Sequence, residues 1–134
     1  MQTSEEQFQE LVANLVARGN KALEKQPYVP PISLVLRNTG EVECSVGIAE
    51  SPGDLKQVLD AMQNSLRERV SLGGTLATCV AYTDPASRNV IALMENHENY
   101  CATVTIPCQP TSLDVENMEV DDSSVYVYPV VSDR

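Results

Sequence analysis

Tryptophan is missing from this chain, phenylalanine and histidine occur once each, and Lys and Arg number 9 against 19 Asp and Glu. The formal charge of −10 disfavours phosphate backbones and anionic headgroups, because nucleic-acid affinity rests on Lys and Arg displacing condensed counterions. No nucleic-acid partner and no membrane partner is expected. Long apolar runs are absent too: Ile91–Met94 is representative of the longest, against the ~20 residues needed to cross a bilayer. There is no Cys-x-x-Cys, no Gly-x-Gly-x-x-Gly, no Gly-x4-Gly-Lys-Ser/Thr, no calcium-loop order of acids and no internal repeat. The devices that most often hold zinc, nucleotides or calcium are therefore not written here. The start, Met1-Gln2-Thr3-Ser4-Glu5-Glu6, lacks the basic segment and apolar run of a secretory signal. That points to the cytoplasm, where Cys44, Cys79, Cys101 and Cys108 are expected to be free thiols.

What is present reads as one globular unit, a single domain over residues 1–134, with 43% hydrophobic and 21% charged residues. Ser4 and Gln7 have the spacing of a capping box, and Phe8, Leu11, Val12, Leu15 and Val16 recur at helical spacing. These predict an N-terminal helix over roughly 4–25, within 1–27, weakened at Gly19-Asn20 and ended by Pro27. Ile32–Arg37 and Glu41–Ile48 form a hairpin about Gly40, the second strand placing Val42, Cys44, Val46 and Ile48 on one face and Glu41, Glu43 and Ser45 on the other. Glu41 and Glu43 are read as solvating the outer face of the sheet.

Ser51-Pro52-Gly53-Asp54 opens a second amphipathic helix whose stripe is Leu55, Val58, Leu59, Met62, Leu66 and Val70, stopping at Gly73-Gly74. Three strands follow, Thr75–Tyr82, Asn89–Asn96 and Tyr100–Ile106, with a tight turn at His97-Glu98-Asn99. Residues 109–123 are read as a long acidic loop, and Val125–Pro129 as an edge or returning strand. The order α-ββ-α-βββ, with a trailing strand, predicts an α+β fold: a mainly antiparallel sheet of five or six strands with helices packed on one face.

Val29-Pro30 through Gly40-Glu41-Val42, the helix after Ser51, and Val90-Ile-Ala-Leu-Met-Glu95 leading to Thr105-Ile106-Pro107 resemble a family of small uncharacterised bacterial proteins, a domain of unknown function. The resemblance spans roughly residues 28–130 and implies a fold unit without an assigned activity. Asn96, Asn99 and Cys108 stand where that family has His, Gly and Tyr, so no role of its His carries over. The element order is also similar to that of profilin-like and roadblock-like modules, which bind or scaffold other proteins.

His97, Cys101 and Cys108 form the one cluster of soft ligands, with Cys44 or Cys79 needed to complete a tetrahedral site. Cys101 with His97, oriented by Glu95 or Glu98, is the one nucleophile–base pair that can be drawn. Glu41, Glu43 and Glu95 supply carboxylates for acid–base work. None of these converges on paper, so no catalytic, cofactor or metal residue is assigned and no cofactor is expected. The leading reading is a non-enzymatic cytoplasmic interaction or scaffolding module, homodimeric, acting through a sheet edge or an exposed helix face. The alternatives are a thiol- or metal-dependent enzyme or regulator using His97 and the cysteines, or a small-ligand binding protein.

Overall fold

The computed structural model describes residues 3–48, 51–109, 111–122 and 127–128. Helix α1 (Ser4–Leu23) is capped one residue earlier than the sequence pattern suggests. The Thr3 hydroxyl accepts from the Glu6 N–H at 3.1 Å, and the Glu6 carboxylate accepts from the Thr3 N–H at 3.0 Å. These bonds hold the Glu6 carboxyl below its usual range. Ser4 and Gln7 do not cap because their side chains are engaged elsewhere, both accepting from the amide of Asn96. Nor do Gly19 and Asn20 interrupt the helix. Gly19 lies against Leu113, and the Asn20 Oδ1 accepts from the Leu113 N–H at 2.8 Å.

Strands β1 (Ile32–Arg37) and β2 (Val42–Val46) form the expected hairpin, with Gly40 at φ 93°. Helix α2 (Pro52–Ser71) ends at Gly73 and Gly74, both at positive φ. Strands β3 (Thr75–Thr83), β4 (Val90–Asn96), β5 (Cys101–Ile106) and β6 (Glu119–Asp122) then run as an antiparallel meander. The sheet has six strands in the order β2-β1-β3-β4-β5-β6, and Asn99 turns the β4–β5 hairpin at φ 62°. The α+β class and the antiparallel sheet are as the element order implies.

The helices, however, lie on opposite faces rather than one. Ile32, Leu34 and Leu36 of β1 and Ala77, Cys79 and Ala81 of β3 pack with Leu11 and Leu15 of α1. Their alternates Val35 and Val80 pack with Met62 and Leu66 of α2. An amphipathic stripe dictates that a helix must be covered, but not by which side of a sheet. β1 and β3 settle it: both are buried almost throughout, so both of their faces need a layer. At Gly47 a Cβ would lie 2.6 Å from Val58 Cγ1, so the close approach of α2 to the end of β2 requires glycine.

Two further expectations are corrected. Val46 and Ile48, on the apolar face of β2, are exposed, because α1 packs over β1, β3 and β4 and leaves that end of β2 uncovered. The 109–123 segment is not all loop: it contains a 3-10 turn (Val115–Asn117) and β6, whose Glu119–Asp122 pairs with Ala102–Thr105. The trailing strand at Val125–Pro129 lies largely outside the described residues; Val127 and Tyr128, which are described, form a bend.

Candidate interaction groove

The soft-ligand cluster is not assembled. Cys101 is opposite Glu95 in the register, on the side of the sheet away from α1, whereas Cys44, Cys79 and Cys108 belong to the α1 face. His97 is exposed in the β4–β5 turn. Among the described residues no group of three His, Cys, Asp or Glu could hold a metal ion. Three of the thiols are also poorly suited to attack. Burial pushes Cys79 up to about 12, and burial raises Cys101 and Cys108 as well, the Glu95 carboxylate adding to the effect at Cys101.

Two of the three candidate carboxylates are used structurally, and Glu41 is exposed. Glu43 is paired with Arg69 of α2 and lies 3.6 Å from Arg37, rather than solvating an open face. Glu95 is 2% exposed, and its carboxylate accepts from the Val127 N–H at 2.8 Å and the Tyr128 N–H at 3.1 Å. The Tyr128 hydroxyl donates to the Thr75 carbonyl at 3.3 Å, and burial together with the Glu95 charge raises its pKa. A carboxylate so enclosed fixes a chain segment; it has no open side for a substrate.

A broad concavity lies on the other face of the same strands. α1 covers β1, β3 and the near part of β4, and beyond it runs an open trough of about 1370 Å³. One wall is Phe8, Val12 and Val16 of α1; Met94, Ala102 and Val104 form the floor. Val115, Met118 and Val120 make the far wall. The α1 stripe is thus two rows: Leu11 and Leu15 are fully buried on the sheet, while the row at 8, 12 and 16 is half-buried and lines the trough. The spacing 8, 11, 12, 15, 16 is the ordinary width of an amphipathic stripe, so the sequence does not by itself separate the two rows.

The trough is apolar with an acidic rim. Among the described residues its charged lining is Glu5 and Glu98, with no Lys, Arg or His, and Asp122 joins the same face opposite Ala102. Its end is fixed by Asn96, which is 0% exposed. The Asn96 amide donates to Ser4 Oγ at 2.7 Å and Gln7 Oε1 at 3.1 Å, and its carbonyl oxygen accepts from the Glu98 and Tyr100 N–H groups at 3.0 Å each. One side chain therefore clamps the start of α1 to the β4–β5 turn, saturating its hydrogen-bonding capacity. Among the described residues no helix is long and apolar enough to cross a membrane. No protein-family model, no curated protein and no solved structure matches the chain.

Proposed function

We propose that the protein is an interaction module that binds an amphipathic segment of another protein, apolar on one side and flanked by Lys or Arg, in the trough between α1 and strands β4–β6. The observation that carries this reading is the combination of an apolar floor and walls with a rim that, among the described residues, holds carboxylates and no base. The α1 wall runs from Thr3 to Ala17, roughly 21 Å at 1.5 Å per residue, which matches about four turns of a docked helix. Small-molecule sites are closed clefts of about 300–1,000 Å³ that bury most of their ligand; an open trough suits a polypeptide better. The chain's own tail is a poor occupant, because Val127 and Tyr128 are held on the opposite face by Glu95. Two copies meeting trough to trough would bring acidic rims together. The separate free thiols are in keeping with the cytoplasm as its compartment.

The test uses two synthetic helical peptides of one apolar stripe, one with Lys/Arg flanks and one with Asp/Glu flanks. Titration followed by NMR is expected to shift Val12, Met118 and Val120 with the basic peptide alone, and added salt should weaken that binding. Val120→Asp, at a position 61% exposed, should abolish the shifts and change stability by no more than about 0.5 kcal/mol. Equal binding of the two peptides, or shifts confined to the α2 face, would overturn the proposal.

A further inference from the structure

The two edges of the sheet are built differently. β6 presents Glu119, Asp121 and Asp122, all exposed, which is how natural edges resist pairing with another strand. β2 carries Val42-Glu43-Cys44-Ser45-Val46. Which of its backbone groups point away from β1 follows from the phase of its hydrogen bonds to that strand. The Arg37 N–H donates to the Glu41 carbonyl and the Gly47 N–H to the Pro31 carbonyl, both at 2.8 Å. Antiparallel ladders alternate, so Glu43 and Ser45 exchange bonds with Val35 and Ser33, while Val42, Cys44 and Val46 direct their N–H and C=O groups outward.

We propose that this edge is an interface for a second copy of the chain, the two β2 strands pairing antiparallel about a twofold axis at Cys44. The segment fits itself. Apolar and polar positions read the same in both directions from Cys44, so Val42 falls opposite the partner's Val46, and Val46 opposite the partner's Val42. Glu43 falls opposite the partner's Ser45, so the carboxylates do not face each other. Its charge is matched within its own chain by Arg69 and Arg37. Val46 and Ile48 are 59% and 80% exposed on the apolar side of this strand. Pairing covers Val46 and carries Ile48 over the partner's Gly40, where no side chain obstructs it. The interface is isologous, as closed dimers require, and it joins two six-stranded sheets into one. The trough lies toward the opposite edge and stays open in each copy, so this interface stands independently of the partner-binding reading.

Sedimentation equilibrium from low micromolar to submillimolar protein, combined with amide hydrogen exchange, tests the pairing. A monomer–dimer equilibrium is expected, with the Val42, Cys44 and Val46 amides slowing as concentration rises and those of Glu43 and Ser45 protected throughout. Cys44→Pro removes an outward N–H without breaking a bond to β1, and should weaken association by roughly tenfold or more. Val46→Lys, at an exposed position, should do the same and remains decisive if the proline variant fails to fold. A chain monomeric over the whole range, a dimer indifferent to Val46→Lys, or concentration-dependent protection confined to other segments would each overturn the proposal.

Discussion

The two halves of the sheet are stabilised by different means. β1 and β3 sit between helices, α1 on one face and α2 on the other, with β2 at their outer edge, and side chains such as Leu34, Leu36 and Cys79 are wholly inaccessible there. β4, β5 and β6 line the trough on one face, and on the other face β4 holds the segment at Val127 and Tyr128, which also packs with Val35, Val80 and α2. The first half relies on apolar burial, which needs area and little angular accuracy. In the second, two polar side chains, Asn96 and Glu95, hold strands to flanking chain through directional bonds. This half has apolar burial as well, through Val90, Ala92, Val104 and Ile106 on the α1 face, and the polar anchors add directional bonds to it.

The contrast can be broken most strongly at Glu95. Glu95→Leu leaves the amides of Val127 and Tyr128 without their acceptor in a buried site, and urea unfolding should show a loss of about 3 kcal/mol. Glu95→Gln keeps one acceptor oxygen and should lose less. If Glu95→Leu were as stable as the parent, the polar account of that half would fail.

On the helix-covered half, Gly47→Ala puts a methyl into Val58 and Met62. The displaced α2 should cost about 2 kcal/mol in the same assay. An unchanged midpoint would mean that α2 is not seated as closely as described.

The smallest effect compares thiols across the halves. Cys79 is fully buried under α1, and its pKa is raised from the ordinary 9.0 to about 12 by burial. Folding thus favours its neutral form. That contribution is intact below about pH 9 and is lost as pH rises from there through about 12, with a slope of up to ~1.4 kcal/mol per pH unit. Cys79→Ala should flatten this alkaline slope in denaturation curves, and iodoacetamide at pH near neutrality should reach Cys101 and Cys108, which are half-buried, well before Cys79. Equal labelling of all three would show that the helix-covered half opens as readily as the other.

The sequence carried the local geometry well and the layering poorly. Both hairpins, the positive-φ turns at Gly40 and Asn99, the Pro52 helix start and the Gly73 stop are set by residues within a few positions of each other, and such signals survive folding. The assignment of helices to faces depends on strands distant in the chain. The near-continuous apolar runs of β1 and β3 do encode burial on both sides, which an alternating-strand reading passes over. β6 escaped notice because Glu119-Val-Asp-Asp122 has a composition that disfavours strand, and pairing with β5 overrides it. Glu95 and Asn96 could not be read as anchors because their partners lie far along the chain, at Val127 and at Ser4 and Gln7. The trough was not legible: Phe8, Val12 and Val16 read as part of one stripe with Leu11 and Leu15, and only the packing of α1 on the sheet separates the two rows.

The clamp at Asn96 also bears on how the chain reaches this state. Its contacts with Ser4 and Gln7 close loops of 92 and 89 residues, so α1 emerges from a ribosome long before the strand that fastens it. Until β4 is made, the helix has no seat for its starting turn, and its two oily rows stay accessible to whatever is nearby. Docking of α1 is therefore a late event in synthesis, and a nascent chain stalled before Asn96 should remain open to proteases at a segment that the finished protein shields.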